Sequence, residues 1–208
     1  VAKSLSNNYL SVDSFLVDAM RDAILRAAEA RIRRDGFHGF SFRDLAADVG
    51  IKSASVHYHF PTKAELGVSL MKNYHEQMLA AFGDAEDDRT LADKLGAVGD
   101  AYRRKLSKAV ICLCGILAAE HASLPEPVAD ALKDYFVACR NWLVSAFAGS
   151  GAGEPEQRAL VFSCAVQGGL LMAHAMGDPT LFNRVVEEAI RAQEQARVRR
   201  RGIKRQHG

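Results

Sequence analysis

Residues 41–66 read SFRDLAADVGIKSASVHYHFPTKAEL and contain, in order, a helix, a glycine turn, a short second helix and a Pro-Thr-Lys exit into a third helix. Ser41 followed by Asp44 is a capping pattern: the hydroxyl accepts a backbone N–H of the first turn, and the carboxylate favours the positive end of the helix. The pattern starts a helix at Phe42. Leu45, Ala46 and Val49 then share one face at helical spacing, and Gly50 supplies the left-handed conformation that turns the chain sharply. The second helix, from about Ser53 to His59, turns Ile51, Val56 and Phe60 inward and leaves Lys52, Ser53, Ser55, His57, Tyr58 and His59 on its other face. That outer face has hydroxyls, imidazoles, a phenol and one cation but no carboxylate. It suits a polyanion bearing hydrogen-bond donors and acceptors, because acidic groups there would repel phosphates. A merely polar exposed helix is the plain alternative, and the steep turn beside it favours a helix-turn-helix.

Upstream, Asp18 to Asp35 carries Met20, Ile24, Ala27, Ala28 and Ile32 on one stripe and closes with Gly36, placed to end a helix in a left-handed cap. Phe37, Phe40 and Phe42 follow within six residues and can fill a small three-helix core. A unit of that size buries too little surface to be more than marginal alone, so it needs a larger body.

These residues carry a resemblance. From about Met20 to Tyr74 the chain resembles the N-terminal domain of the TetR family of bacterial transcriptional regulators. The matching positions are Ile24, Ala27 and Ala28, Gly36-Phe37, the run Phe42 to Ala46, Val49-Gly50-Ile51, and Tyr58-His59-Phe60-Pro61-Thr62-Lys63 followed by Glu65-Leu66. The resemblance implies that Ser55 and His57 approach bases or phosphates, that Tyr58 and His59 lie along the DNA backbone, and that Lys63 meets a phosphate. The expected DNA-contacting set is Ser41, Arg43, Lys52, Ser53, Ser55, His57, Tyr58, His59, Thr62 and Lys63, with Thr62 also placed to cap the third helix. Three positions depart from the family pattern: His57 where tyrosine is usual, Ala54 where glycine is frequent, and Arg31 where the first helix is usually apolar. The first seventeen residues hold Lys3 as their sole cation, so a basic arm reading the minor groove is not expected.

Composition agrees with this organisation. The chain has 208 residues, enough for a small head and a larger helical body, and hydrophobic residues make up 49%, enough for a core. Its formal net charge is only +2, so any affinity for nucleic acid must come from a local patch rather than from the whole surface. No leading segment combines a basic start, a long apolar stretch and a small-residue cleavage site, which predicts a cytoplasmic protein. The longest apolar run, Ala109 to Ala119, is about half of the roughly 20 residues a membrane helix requires and predicts a buried core helix. There is no internal repeat and no phosphate-binding glycine loop, and no cofactor is expected.

Beyond Met71 the pattern is helical, with breaks at 83–89, 123–127, 148–155 and 177–179, and no strand-like alternation. The predicted fold is all-α: a helix-turn-helix domain over 15–66, a helical ligand-binding and dimerisation domain over 67–197, and a basic tail over 198–208, read as a frayed end. Glu126 to Phe147 is apolar at Val128, Leu132, Phe136, Cys139, Leu143 and Phe147 and must face other helices. From Glu156 to Met176, small residues at Ala165, Gly168, Gly169, Ala173 and Ala175 alternate with Leu170, Leu171 and Met172, and Phe182, Val185, Val186, Ala189 and Ile190 give the last helix a matching stripe. The two helices can pack on each other only, or join their copies in a four-helix bundle. The resemblance implies the latter: a homodimer through Ala165, Gly169, Met172, Val185, Val186 and Ile190, holding two recognition helices about 34–36 Å apart on a palindromic double-stranded DNA operator.

The resemblance also implies a small-molecule effector within the C-terminal domain. Residues available to line its cavity are Tyr102, Cys112, Leu113, Ile116, Leu117, Phe136, Trp142, Phe162 and His174, for each of which plain core packing is the alternative. Cys112 and Cys114, if both helical, diverge by about 200° and can share neither a disulfide nor a metal. Cys139 and Cys164 are isolated, and no set of metal ligands or catalytic groups is legible. The expected function is that of a ligand-responsive repressor. A thiol-based redox or electrophile sensor, and a helical carrier or enzyme using the cavity, are the alternatives.

Overall fold

The structure is a computed structural model that describes residues 2–106, 112–151 and 153–206, with side chains described over 15–105, 112–151 and 153–195. The described residues form nine α-helices and one 3-10 turn, with no strand, as the all-α reading predicts. In chain order they are α1 (Ala2–Asp35), α2 (Phe42–Val49), α3 (Ser53–His59), α4 (Lys63–Phe82), α5 (Leu91–Leu106), α6 (Leu113–Ala119), the 3-10 turn (His121–Ser123), α7 (Glu126–Gly149), α8 (Pro155–Ala175) and α9 (Pro179–Gln206).

Local chemistry sets the boundaries of the first elements. Ser41 and Asp44 cap each other across the first turn of α2, with Ser41 N–H and Oγ–H both donating to Asp44 at 2.7 Å. Gly50 ends α2 at φ 74°, ψ 34°, and its neighbour Ile51 donates to Ala46 O at 2.9 Å. The chain thus reverses within two residues into α3. Thr62 caps α4, accepting from Glu65 N–H at 3.1 Å. Two ends differ from expectation. The first helix extends back to Ala2 instead of starting at Asp18, and α9 continues to Gln206 where a frayed tail was expected. Neither extension contains proline, and the arginines, Lys204 and Gln206 of the last turns favour helix strongly enough to carry it across Gly202.

α1, α2 and α3 pack around Ile24, Leu25, Ala28, Ile32, Phe37, Leu45, Val56 and Phe60, all essentially removed from solvent. This core runs without interruption along Leu66, Leu70, Met71, Tyr74, Met78 and Phe82 of α4 into the helical body, where α7 lies across α4, and α8 against α7 and α9. Arg31, the departure from the family pattern, forms a two-pronged ion pair with Asp48 at 2.7 and 2.8 Å and so ties α1 to the last turn of α2. Head and body are also fastened at a corner: Phe37 N–H donates to Glu120 Oε2 at 2.8 Å, and His38 Nε2 lies 3.0 Å from Ser123 O. In the α4–α5 loop, Arg89 donates to Phe82 O and Asp84 O, and the buried Lys94 donates to Ala85 O and Asp87 O.

Candidate nucleic-acid interface and interior cavity

α3 is held from beneath by Val56 and Phe60 and presents His57 and Tyr58 outward, the latter 77% exposed. The His57 ring stands edge-on to Phe42 at 4.7 Å, which fixes the imidazole over the start of α2. Lys52 precedes the helix in extended backbone with its ammonium exposed, and Ser53, Ser55 and His59 are half-buried along the flanks. Arg43 is exposed on α2. The nearest acids do not oppose this surface freely. Asp44 is held by Ser41, which keeps its carboxyl below the usual carboxylate range, and Asp48 is held likewise by Arg31. The result is an outward face of donors with its carboxylates engaged elsewhere.

Lys63 stands at the first position of α4. Its Nζ donates to Phe40 O and sits 4.0 Å from the Phe40 ring centroid and 5.4 Å from that of Phe37. Partial burial lowers its pKa, against the attraction of Asp44 and Glu120. The ammonium therefore knits the 37–41 loop to the first turn of α4, a carbonyl and two aromatic faces having captured it before solvent does.

A cavity of about 450 Å³ lies between α4, α5, α7 and α8. Phe82, Val98, Tyr102, Phe136, Cys139, Leu143, Phe162 and Val166 form its walls. Its rim is Lys133, Val137 and Arg140 on α7 and Leu160, Ser163 and Cys164 on α8. At the floor, Tyr102 and Tyr135 hydroxyls are 2.7 Å apart and Gln167 Nε2 donates to Tyr102 Oη at 3.2 Å. Burial pushes both phenols well above their usual range, so they remain protonated.

Of the residues expected to line a cavity, the structure brings together Tyr102, Phe136 and Phe162. Cys112, Leu113 and Leu117 are buried in the core, where α6 packs between α1 and α7, and Ile116 is half-buried against it. Trp142 donates its indole N–H to Gly83 O at 2.7 Å and stacks obliquely on Phe82, pinning the α4–α5 loop, and His174 is exposed on α8. Lys133, Val137 and Arg140 were not anticipated, although their spacing of four and three places them on one face of α7. The buried helix read from Ala109 to Ala119 is seen over Leu113–Ala119, and residues 107–111 lie outside the described residues.

The cysteine geometry also corrects an expectation. Cys112 is not helical but precedes α6 at φ −57°, ψ 130°, so the divergence expected of two helical residues does not apply. The Cys114 thiol hydrogen-bonds the Cys112 sulfur, Gly115 N–H adds a second bond, and Tyr74 Oη lies 3.8 Å away. Together with the nearby Arg33 guanidinium these lower the Cys112 pKa to about 6 against its burial. Burial pushes the Cys139 thiol up to about 12. Among the described residues no group of three or more metal-ligating side chains converges.

The expected dimer residues divide. Gly169 is buried in the contact of α8 with α9, where a Cβ would lie 3.1 Å from Val185 and 3.5 Å from Phe182, and Val186 is buried against α5. Gly169 and Val186 pack within the protomer, as does the half-buried Ile190, while Ala165 is half-buried on α8. Met172 is 54% exposed and belongs to an outer apolar stripe of α8 with Leu160, Val161 and Leu171, continued by the exposed Met176 at its C-cap. That stripe was legible at helical spacing once the inward face was assigned to α9.

Residues 24–69 match the family described as "Bacterial regulatory proteins, tetR family". The crystal structure of a TetR transcriptional regulator from Legionella pneumophila is 31% identical over 82% of this chain and 95% of that one, with a TM-score of 0.77. A TetR-family transcriptional regulator from Agrobacterium tumefaciens is 28% identical over 85% and 98%, with a TM-score of 0.78. The reduced form of Escherichia coli NemR, 18% identical over 82% and 95% with a TM-score of 0.73, shares the fold. No curated protein matches the chain.

Proposed function

Because the chain belongs to the TetR family, and is therefore a DNA-binding transcriptional regulator and not an enzyme, we propose that it is a homodimeric repressor released from a palindromic operator when a small molecule fills the cavity between α4, α5, α7 and α8. The observation that carries this reading is one continuous core joining an outward, donor-rich α3 to the wall of that cavity through α4. The operator-reading unit spans 15–66 and the effector-binding and dimerising unit 67–197, followed by the basic 198–208 stretch. Ser55 and His57 read base edges, while Arg43, Lys52, Ser53, Tyr58, His59 and the capped turns at Ser41 and Thr62 hold phosphates. Lys63 acts one step back, by holding the loop beneath α3. The second copy docks on the exposed stripe of α8, since an apolar surface of that kind on a regulator otherwise faces water. No helix among the described residues is long and apolar enough to cross a membrane, and the protein works in the cytoplasm, where its operator is.

In this mechanism the effector acts only through its differential affinity for two arrangements of the paired heads, one matched to successive major grooves at about 34–36 Å and one not. Gel-shift with the DNA adjoining its own gene tests the reading. A specific complex weakened steeply by salt is expected, and the absence of one would overturn it.

A second reading has its own observation, the buried Cys112–Cys114 pair beside Tyr74 and Arg33. Here a soft electrophile adds to the Cys112 thiolate at the α1–α4–α6 junction and displaces α6. Loss of the operator complex after electrophile treatment, abolished in Cys112→Ser, distinguishes it from effector release through the cavity.

A further inference from the structure

The cavity's chemistry narrows what can occupy it. Its walls are hydrocarbon and aromatic, with the rings of Phe82, Phe136 and Phe162 contributing from three different helices, and no carboxylate lines any part of it. The charged side chains that do line it are both cations. Lys133 and Arg140 lie seven residues apart on one face of α7, both exposed, at the rim where Val137 between them is also exposed. Among the described residues neither forms an ion pair: Arg140 donates to its neighbour Asn141 Oδ1 at 3.3 Å, and Lys133 makes no hydrogen bond. Asp130 and Asp134 share the same helix but do not line the cavity. At the floor, the Tyr102 hydroxyl is engaged by Tyr135 and Gln167, so the deep end offers few unspent polar groups and favours an apolar tail.

Resting on the effector reading above, we propose that the cavity takes an apolar organic carboxylate, its ring system buried among Phe82, Phe136 and Phe162 and its anionic end held at the rim by Lys133 and Arg140. A volume of about 450 Å³ is toward the small end for ligand sites, which fits a flat molecule of about one or two fused rings. A cationic amphiphile of the same shape would bury its hydrocarbon equally well but bring its charge against two unneutralised cations. A neutral one would gain the apolar contact and forgo the charge-assisted hydrogen bonds. Charge at the rim therefore selects, and apolar area supplies the bulk of the binding.

Calorimetric titration of the full chain with three probes of matched shape tests this: 2-naphthoate, 2-naphthamide and 2-naphthylmethylammonium. The carboxylate is expected to bind at least tenfold more tightly than the amide, and the ammonium not measurably. Raising the salt concentration should narrow the gap between acid and amide by weakening the acid alone. In the double variant Lys133→Gln/Arg140→Gln the acid should fall to the amide's affinity with the amide unchanged. Phe136→Ala should weaken both equally. Equal binding of acid and amide, preserved selectivity in the double variant, or no binding by any probe would each overturn the proposal. The titrations contain no DNA and test the anion site alone, while gel-shift of the operator complex with the same probes tests effector control. Selective carboxylate binding that leaves the operator complex intact sinks effector control and keeps the anion site, whereas release of the operator by a compound carrying no negative charge does the reverse.

Discussion

Cys112 and Lys63 mark the limits of reading a residue from its neighbours in sequence. The apolar run around Cys112 predicts a helical position, yet it lies one residue outside α6, where its sulfur gathers the Cys114 thiol, Gly115 N–H and Tyr74 Oη. With a pKa near 6 in the folded chain and about 8.5 in the unfolded one, its ionisation adds stability that is complete above the unfolded value and is lost as pH falls through 6. Unfolding titrations should therefore show the difference between the native chain and Cys112→Ser growing from pH 6 to about 8.5. A difference independent of pH would contradict the depressed value. Lys63 was legible as a cation at the start of α4, but what it touches is set by a carbonyl 23 residues earlier in the chain. Lys63→Ala should lower stability by about 1–2 kcal/mol, read from denaturant midpoints, through lost cation–π and hydrogen-bond contacts. A wild-type midpoint together with a reduced salt slope for DNA binding would instead return Lys63 to the phosphate. The Arg31–Asp48 pair was hidden for the same reason, since an arginine in an apolar stripe does not announce its partner on another helix.

Helices with chemical signals at their ends were legible to the residue. The Ser41–Asp44 box and Gly50 set both ends of α2 and Thr62 sets the start of α4, where capping physics puts them. α1 and α9 lack such stops at their outer ends and run on. Faces were harder than boundaries, because a small residue records a close approach without saying to which neighbour. Gly169 records the approach of α8 to α9 inside the protomer. Gly169→Leu should thus reduce thermal stability, because its side chain would meet Val185 and Phe182, at a cost of about 1–3 kcal/mol typical of overpacking. Leu171→Glu, on the exposed stripe, should leave the fold intact and yield a monomer in sedimentation. A Leu171→Glu dimer of native size would move the interface off that stripe.

At the scale of the whole molecule, the helix-turn-helix and its supporting helix were legible because their signals are local, while the cavity was legible only in part. Tyr102, Phe136 and Phe162 stood out by size. Lys133, Arg140 and Gln167 became lining residues through the tertiary placement of α7 and α8 against α4 and α5, which no local pattern encodes. The seam between head and body is likewise tertiary. Glu120→Ala would leave Phe37 N–H unsatisfied and should cost about 1–3 kcal/mol, with faster hydrogen exchange confined to residues 36–41. Unchanged exchange there would show that the carboxylate does not fasten the corner.

α4 begins at Lys63, close after α3, and ends at Phe82, in the wall of the cavity. Twenty residues of helix make a rod about 30 Å long. Were it to pivot where α7 packs against it, a tilt of a few degrees at the Phe82 end would sweep the opposite tip through about an ångström. If two copies pair as proposed, tips moving in mirror sense would alter the span between the heads by twice that amount, and under the proposed mechanism a ligand that never approaches the nucleic acid would gain the leverage to dislodge it.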